Sequence, residues 1–302
     1  MSLANAPRKP LFALFMSALQ PGFGQLYNGQ PEKALRLFLA FALLVVPGLA
    51  LIALYLPDGL MMPALVFSLL LTLGLWIYGM ADAWRHARRL GDYRPRPWQT
   101  AGLYALVLIC GSGLALPALT DFVRNQLVQS FRIPSTSMEP GVMKGDILFA
   151  DKRYNCPGCK HAIRRGDVAI FTYPNDRTLS YIKRIVGLPG DRVQIHGHDV
   201  SVNGRALGGE ARPMAGGVEV TESFDDRHWL ASWGADGEAR ADVDLVVPPG
   251  QVFVLGDNRA QSRDSRLFGT VPMPDVVGRA RQVWFSAGEG GVRWARLGAV
   301  IE

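Results

Sequence analysis

The spacing of hydrophobic positions changes near residue 130. Upstream, apolar residues come in nearly unbroken runs; downstream, they come in short clusters punctuated by Gly, Pro, Asn and Asp. Three upstream runs, Leu37–Leu56, Met61–Ala81 and Thr100–Leu119, each approach the ~20 residues that a helix needs to cross a bilayer. The turn Pro57-Asp58-Gly59-Leu60 joins the first two and predicts a helical hairpin. An earlier run of about ten apolar residues follows Arg8 and Lys9 and is too short to span. Gln20-Pro21-Gly22 interrupts it and no small-residue cleavage pattern follows, so it reads as an interfacial or re-entrant segment rather than a signal peptide.

From Ile133 onward the texture is that of strands. Candidates are Ile147–Ala150, Asp167–Tyr173, Ser180–Val186, Arg192–His196, Asp199–Val202, Gln251–Leu255 and Gly278–Phe285. The fourth and fifth flank Gly197-His198 and predict a hairpin. Residues 204–250 are Gly-rich, acidic and weakly periodic, and are expected to form an inserted, more mobile subdomain. The division expected is a membrane anchor over 1–130 and a β domain over 131–302.

Composition supports the membrane reading: 49% of the 302 residues are hydrophobic and mean hydropathy is positive. The net charge of +6 has its place beside the spans. Arg8, Lys9, Lys33 and Arg36 precede the first, and Arg85, Arg88, Arg89, Arg94 and Arg96 follow the second, whereas the turn between them has no Lys or Arg. By the positive-inside rule the N-terminus and the 82–99 loop are cytoplasmic, and everything beyond about Thr120 lies outside. The basic residues face anionic lipid. No basic face with interleaved aromatics is present, which argues against a nucleic-acid partner. Three cysteines are too few for a disulfide scaffold. Cys110 reads as a small packing residue within the third span. Cys156-Pro157-Gly158-Cys159 admits three readings: an extracytoplasmic disulfide, a redox pair, or a zinc site with His161 that would need further ligands.

The chemistry centres on Phe131–Asp146, FRIPSTSMEPGVMKGD. Pro134 and Pro140 disfavour helix around Ser137 and hold its hydroxyl in an extended apolar segment, where it could serve as a nucleophile given a base. The histidines are poorly placed for a Ser-His-Asp triad. His86 is in the cytoplasmic loop, His161 adjoins the CxxC, His196 and His198 flank a hairpin turn, and His228 is in the insertion. Lys183, in SYIKRIVGLPGD, lies among Ile182, Ile185 and Val186. On an apolar sheet face it would lose hydration, and a pKa pushed down to roughly 7–8 would make its neutral amine a general base. On sequence pattern alone an ordinary lysine snorkelling at a strand edge is the favoured reading. Gly256–Arg266, GDNRAQSRDSR, packs acids, arginines and hydroxyls after a strand, either as a solvated ion-pair loop or as a frame that orients the base.

PSTSM, RRGDVAIF, YIKRIVGLPGD and GDNRAQSRDSR, in that order after membrane spans, resemble the type I signal peptidases of bacteria. The resemblance runs from about Phe131 to Phe285, and VRWARLG resembles the family's closing segment. It implies transmembrane helices followed by a mostly antiparallel β catalytic domain with a large apolar surface beside the bilayer. It implies a Ser/Lys dyad: Ser137 as nucleophile, Lys183 as general base, and an oxyanion hole made by the Ser137 backbone N–H and the Ser135 hydroxyl. Ser262 matches a serine that hydrogen-bonds the lysine, and Asp257, Arg184, Asp264 and Arg266 match charged residues that buttress the site. Ile133, Pro134, Met138, Tyr181 and Ile182 match walls of the substrate cleft. The function implied is removal of signal peptides with small residues before the cleavage site, without metal or cofactor. The location implied is the bacterial inner membrane, multi-pass, with the catalytic domain on the periplasmic side. A specialised conjugation- or pilin-processing peptidase, and a tethered β domain that binds extended peptides without cutting them, are the alternatives. This chain departs from the family pattern in having Ala260-Gln261 where Asp-Asn is common, in its number of spans, and in the CPGC insertion. Separately, PGFGQLYNG in the N-terminal segment resembles a motif of small multi-helix membrane modules.

Overall fold

The computed structural model describes residues 7–154, 162–234 and 242–301. Cys156, Cys159 and His161, and with them the readings of the CPGC stretch, lie outside the described residues. The chain divides into two compact units, Met1–Asn125 and Gln126–Glu302.

The first unit is helical. α1 (Pro10–Leu19) and α2 (Phe23–Tyr27) are the short N-terminal elements, each too short to span. Gly22 separates them at φ +86, where an added Cβ would lie 2.2 Å from the Ala34 carbonyl oxygen. α3 (Pro31–Leu43) continues through a wider turn at Leu44–Gly48, which holds Pro47, into α4 (Leu49–Tyr55). α5 runs from Asp58 to Arg89, and α6 (Ala101–Leu108) continues through 109–115 into α7 (Leu116–Gln126). Pro31–Tyr55, Gly59–Arg89 and Ala101–Gln126 are long and apolar enough to cross a membrane. The predicted 82–99 loop is shorter than expected. No Gly or Pro stands between Ala81 and Gly91, and Arg88 and Arg89 complement the negative end of the helix dipole, so α5 keeps its helix past Ala81.

α2 is fastened by buried amides rather than by apolar packing alone. The Gln25 side chain donates to the Gly79 carbonyl at 2.7 Å and to Asp82 at 3.0 Å, and Asn28 donates to the Ala83 carbonyl at 2.8 Å. Away from water, unpaired amides would be costly, so these bonds fix α2 against α5.

The second unit is antiparallel β. Its first strands are β1 (Val128–Arg132), β2 (Asp146–Asp151), β3 (Val168–Thr172) and β4 (Ser180–Gly187). β5 (Arg192–His196), β6 (Asp199–Val202) and β7 (Arg205–Ala206) follow, then β8 (Gly208–Met214), β9 (Gly217–Phe224) and β10 (Arg227–Gly234). β11 (Val243–Val246), β12 (Gln251–Leu255), β13 (Val271–Pro272), β14 (Val276–Gly288) and β15 (Gly291–Val292) complete it, with α8 (Ser265–Phe268) between β12 and β13. The main sheet has the order β1-β2-β14-β3-β4-β12-β13, with β15 on β14. β11-β5-β6-β7 and β10-β9-β8 form two smaller sheets. Strand texture begins at Val128 rather than Ile133, because Val128–Arg132 finds a partner in β2.

Residues 204–250 differ from expectation. Their described part is strand-rich, and its inward residues Val220, Trp229 and Trp233 share one buried cluster with Val186, Phe253 and Leu255. The alternation Trp229, Ala231, Trp233 along β10 carries this packing. Gly204 and Gly216, at φ +78 and +85, occupy the turns between strands.

Candidate active site

Lys183 sits on β4, the strand between β3 and β12 in the main sheet. Alternation puts it on the face of Tyr181 and Ile185, opposite Ala169 of β3. It is 4% exposed and Ser137 7%. Lys183 Nζ donates to Ser137 Oγ at 2.7 Å and to the Ile182 carbonyl at 2.8 Å, and lies 5.6 Å from the Tyr181 ring centroid. Burial strips the ammonium of water and lowers its pKa from 10.5 to about 8, while Asp264 and Asp257 pull the other way.

Ser137 is held in a loop stitched to 256–262. Asn258 N–H donates to the Ser137 carbonyl at 3.2 Å, and the Asn258 side chain to the Thr136 carbonyl at 3.3 Å. The Thr136 hydroxyl donates to Gln261 Oε1 at 3.0 Å. A Cβ on Gly256 would sit 2.1 Å from Ser262 Oγ and 2.5 Å from the Ser137 carbonyl oxygen, so only glycine permits this approach. Ser135 Oγ lies 3.2 Å from Ser137 Oγ.

Two buried ion pairs flank the site. Arg184 grips Asp257 through Nε at 2.8 Å and Nη2 at 2.7 Å, and donates from Nη1 to the Gly166 carbonyl. Asp264 caps α8 and accepts from Arg266 and from the Gly256 N–H. Burial pushes its carboxyl up, but Arg266, the Gly256 N–H and the Ser262 hydroxyl together hold it below the usual carboxylate range. Ser262 is thus placed on Asp264.

The residues expected to wall a cleft are unevenly exposed. Pro134 is exposed and Tyr181 half-buried, with its ring stacked on Tyr173 at 4.4 Å. Ile133 and Ile182 are buried in the cluster around Leu148 and Val283. Met138 belongs to the same cluster and is fully buried. A cleft of about 1090 Å³ opens beside Ile133, Pro134 and Thr136 and reaches to 287–293. Sequence reasoning missed Asn258, Thr136 and Gln261 as clamps on the nucleophile loop, since short polar side chains in a loop carry no periodic signal.

The geometry is that of a serine peptidase: a hydroxyl bonded to a dehydrated amine on a β scaffold. The family model described as "Signal peptidase, peptidase S26" matches residues 105–285. The chain is 34% identical over 192 residues to "Signal peptidase I" of Pseudomonas fluorescens, covering 54% of this chain and 67% of that protein. It is 33% identical over 190 residues to "Signal peptidase I" of Pseudomonas aeruginosa, covering 54% and 67%. A crystal structure of a signal peptidase I from Enterococcus faecalis V583 matches at 26% identity with a TM-score of 0.27, covering 39% of this chain and 96% of that one. The chain therefore belongs to the S26 signal peptidase family, a family of serine peptidase hydrolases.

Proposed function

We propose that the protein is a membrane-bound endopeptidase that removes N-terminal signal peptides from exported preproteins through a Ser137/Lys183 dyad. The observation that carries this reading is the 2.7 Å bond between Lys183 Nζ and Ser137 Oγ, made by a buried amine whose pKa is lowered to about 8. A neutral Lys183 takes the Ser137 proton as Oγ attacks the scissile carbonyl. The developing oxyanion is met by the Ser137 N–H and the Ser135 hydroxyl. The tetrahedral adduct collapses to an acyl-enzyme, and the leaving amine collects the proton from Lys183. Lys183 then deprotonates a water as it attacks the acyl carbonyl, and passes that proton to Ser137 Oγ as the ester bond breaks, which restores the serine and the neutral amine.

The substrate is an extended segment that pairs with exposed backbone beside the site, with small side chains before the scissile bond. The spanning helices confine the enzyme to the membrane that also holds the substrate's apolar segment, which raises effective concentration. The basic residues around the first two spans favour a cytoplasmic N-terminus and a catalytic unit on the periplasmic face of the inner membrane.

The test is cleavage of a preprotein with an Ala-x-Ala site by the full chain in detergent or liposomes. Wild type should release the mature protein. Ser137→Ala and Lys183→Ala should not, and Lys183→Arg should fail as well because a guanidinium stays protonated. Cleavage at the wild-type rate by any of the three would overturn the dyad. Binding of the peptide without cleavage by the wild type would favour a receptor instead.

A further inference from the structure

Outside the two ion pairs already described, the second unit contains a third, more deeply buried pair that touches neither Ser137 nor Lys183. Arg259 and Glu222 are each 1% exposed and are hydrogen-bonded to one another. Arg259 belongs to the loop that carries Asp257, Asn258 and Ser262. Glu222 belongs to β9, in the stretch 204–250. Among the described residues, Glu222 is the carboxylate paired with Arg259, and Arg259 Nη1 has no hydrogen-bond partner. Trp229 Nε1 donates to Glu222 at 2.8 Å and fixes its orientation.

The backbone on either side repeats the connection. Ser232 N–H donates to the Asp257 carbonyl and Arg259 N–H to the Ser232 carbonyl, both at 2.8 Å, forming a bridge between β10 and the loop. Arg259 Nε donates back to the Gly256 carbonyl at 2.9 Å and lies 5.1 Å from the Trp233 ring centroid. Arg266, partner of Asp264, donates to the Arg259 carbonyl at 2.7 Å.

We propose that Glu222 is a positioning residue for the peptidase site: through Arg259 it sets the loop 256–262 against the Ser137 loop, so the sheet β8–β10 is part of the catalytic frame. The loop at position 260 carries alanine rather than an acid, and the carboxylate that balances Arg259 comes from a distant strand. The inference rests on the dyad reading above. Its physical basis is that a buried guanidinium without a carboxylate is unfavourable and moves, or draws in water. The loop that moves with it carries the Asn258 bonds to Thr136 and Ser137. It also carries Asp257 which, with Asp264, raises the Lys183 pKa against burial; among the described residues the other groups at that amine are the Ser137 hydroxyl, the Ile182 carbonyl and the Tyr181 ring, while Arg184 pairs with Asp257.

The test compares wild type, Glu222→Gln and Glu222→Asp as full chains, by preprotein cleavage across pH and by thermal unfolding. Glu222→Gln should lower kcat by about tenfold or more, as expected when preorganised groups shift, with KM changed less than about twofold. The acid limb of its pH–rate profile should move to lower pH, because Asp257 is displaced and Arg259 is left uncompensated. Glu222→Asp, which keeps the charge, should recover part of kcat. If Glu222→Gln fails to fold, Trp229→Phe, which removes one donor to Glu222, should move both readouts in the same direction by less. A lower melting temperature with unchanged kcat and unchanged acid limb would overturn the proposal and leave Glu222 a structural residue. A wild-type profile with no acid limb near pH 8 would overturn the dyad instead, so the two failures are distinguishable.

Discussion

Replacing Lys183 with methionine should abolish cleavage and yet stabilise the fold near neutral pH. Burial moves the lysine pKa from 10.5 to about 8. At pH 7 this raises the neutral fraction from roughly one in 3,000 to roughly one in ten, a gain of about 300-fold in competent base. The same shift is a folding cost of about 3 kcal/mol at pH 7. Because folding lowers this pKa, the unfolded chain binds more protons than the folded one between about pH 8 and 10.5. Stability contributed by the site therefore rises with pH across that window, and the full cost is present below it. Methionine is similar in length and carries no charge, so it removes the cost. It also forfeits the bonds to Ser137 Oγ and the Ile182 carbonyl, worth about 1 kcal/mol each. The expected net effect is a gain of about 1–2 kcal/mol at pH 7. As the wild type sheds its penalty, the difference should shrink by about 2–3 kcal/mol by pH 10 and change sign. Thermal unfolding of both full chains in the same detergent at pH 7 and pH 10 measures this, other titrations cancelling in the difference. A variant that is less stable than wild type by the same amount at both pH values would refute the dehydrated-amine account.

Further outcomes follow from the same geometry. Wild-type kcat/KM should rise with pH through an apparent pKa near 8 and level off above it, as Lys183 loses its proton; a pH–rate profile from 5 to 10 checks this, and a flat profile would count against the base. Ser135→Ala should cost on the order of 10²–10³ in kcat if its hydroxyl meets the oxyanion, read in single-turnover cleavage; an unchanged rate would remove it from that role. Asp257→Asn leaves the buried Arg184 uncompensated and should destabilise by about 3–5 kcal/mol, read as a lowered unfolding midpoint. Chelators should leave cleavage unchanged, and inactivation that zinc reverses would bring back a metal reading of the CPGC stretch.

Some of this is legible in the sequence itself. The apolar runs mark the helices that are long and apolar enough to cross a bilayer, because that length requirement can be read from composition alone. The strands Arg192–His196, Asp199–Val202 and Gln251–Leu255 were legible to the residue, since β-branched clusters bounded by Gly, Pro or Asp leave few alternatives. Motif order pointed to Ser137, Lys183 and the loop that carries Asp257 and Asp264. What local pattern could not reveal was which strand Arg259 draws its carboxylate from. Glu222 lies 37 positions away in a stretch whose glycines suggested mobility and whose alternating tryptophans were the available hint. The state of Lys183 was equally beyond reach: a lysine among isoleucines is a snorkelling side chain or a dried base depending on what closes over it. That closure comes from the Ser137 loop, 46 residues earlier in the chain. Sequence determines which side chains alternate and where helices must be long, because those constraints are local. Dehydration, charge pairing and reach are sums over neighbours distant in the chain, and only the folded arrangement decides them.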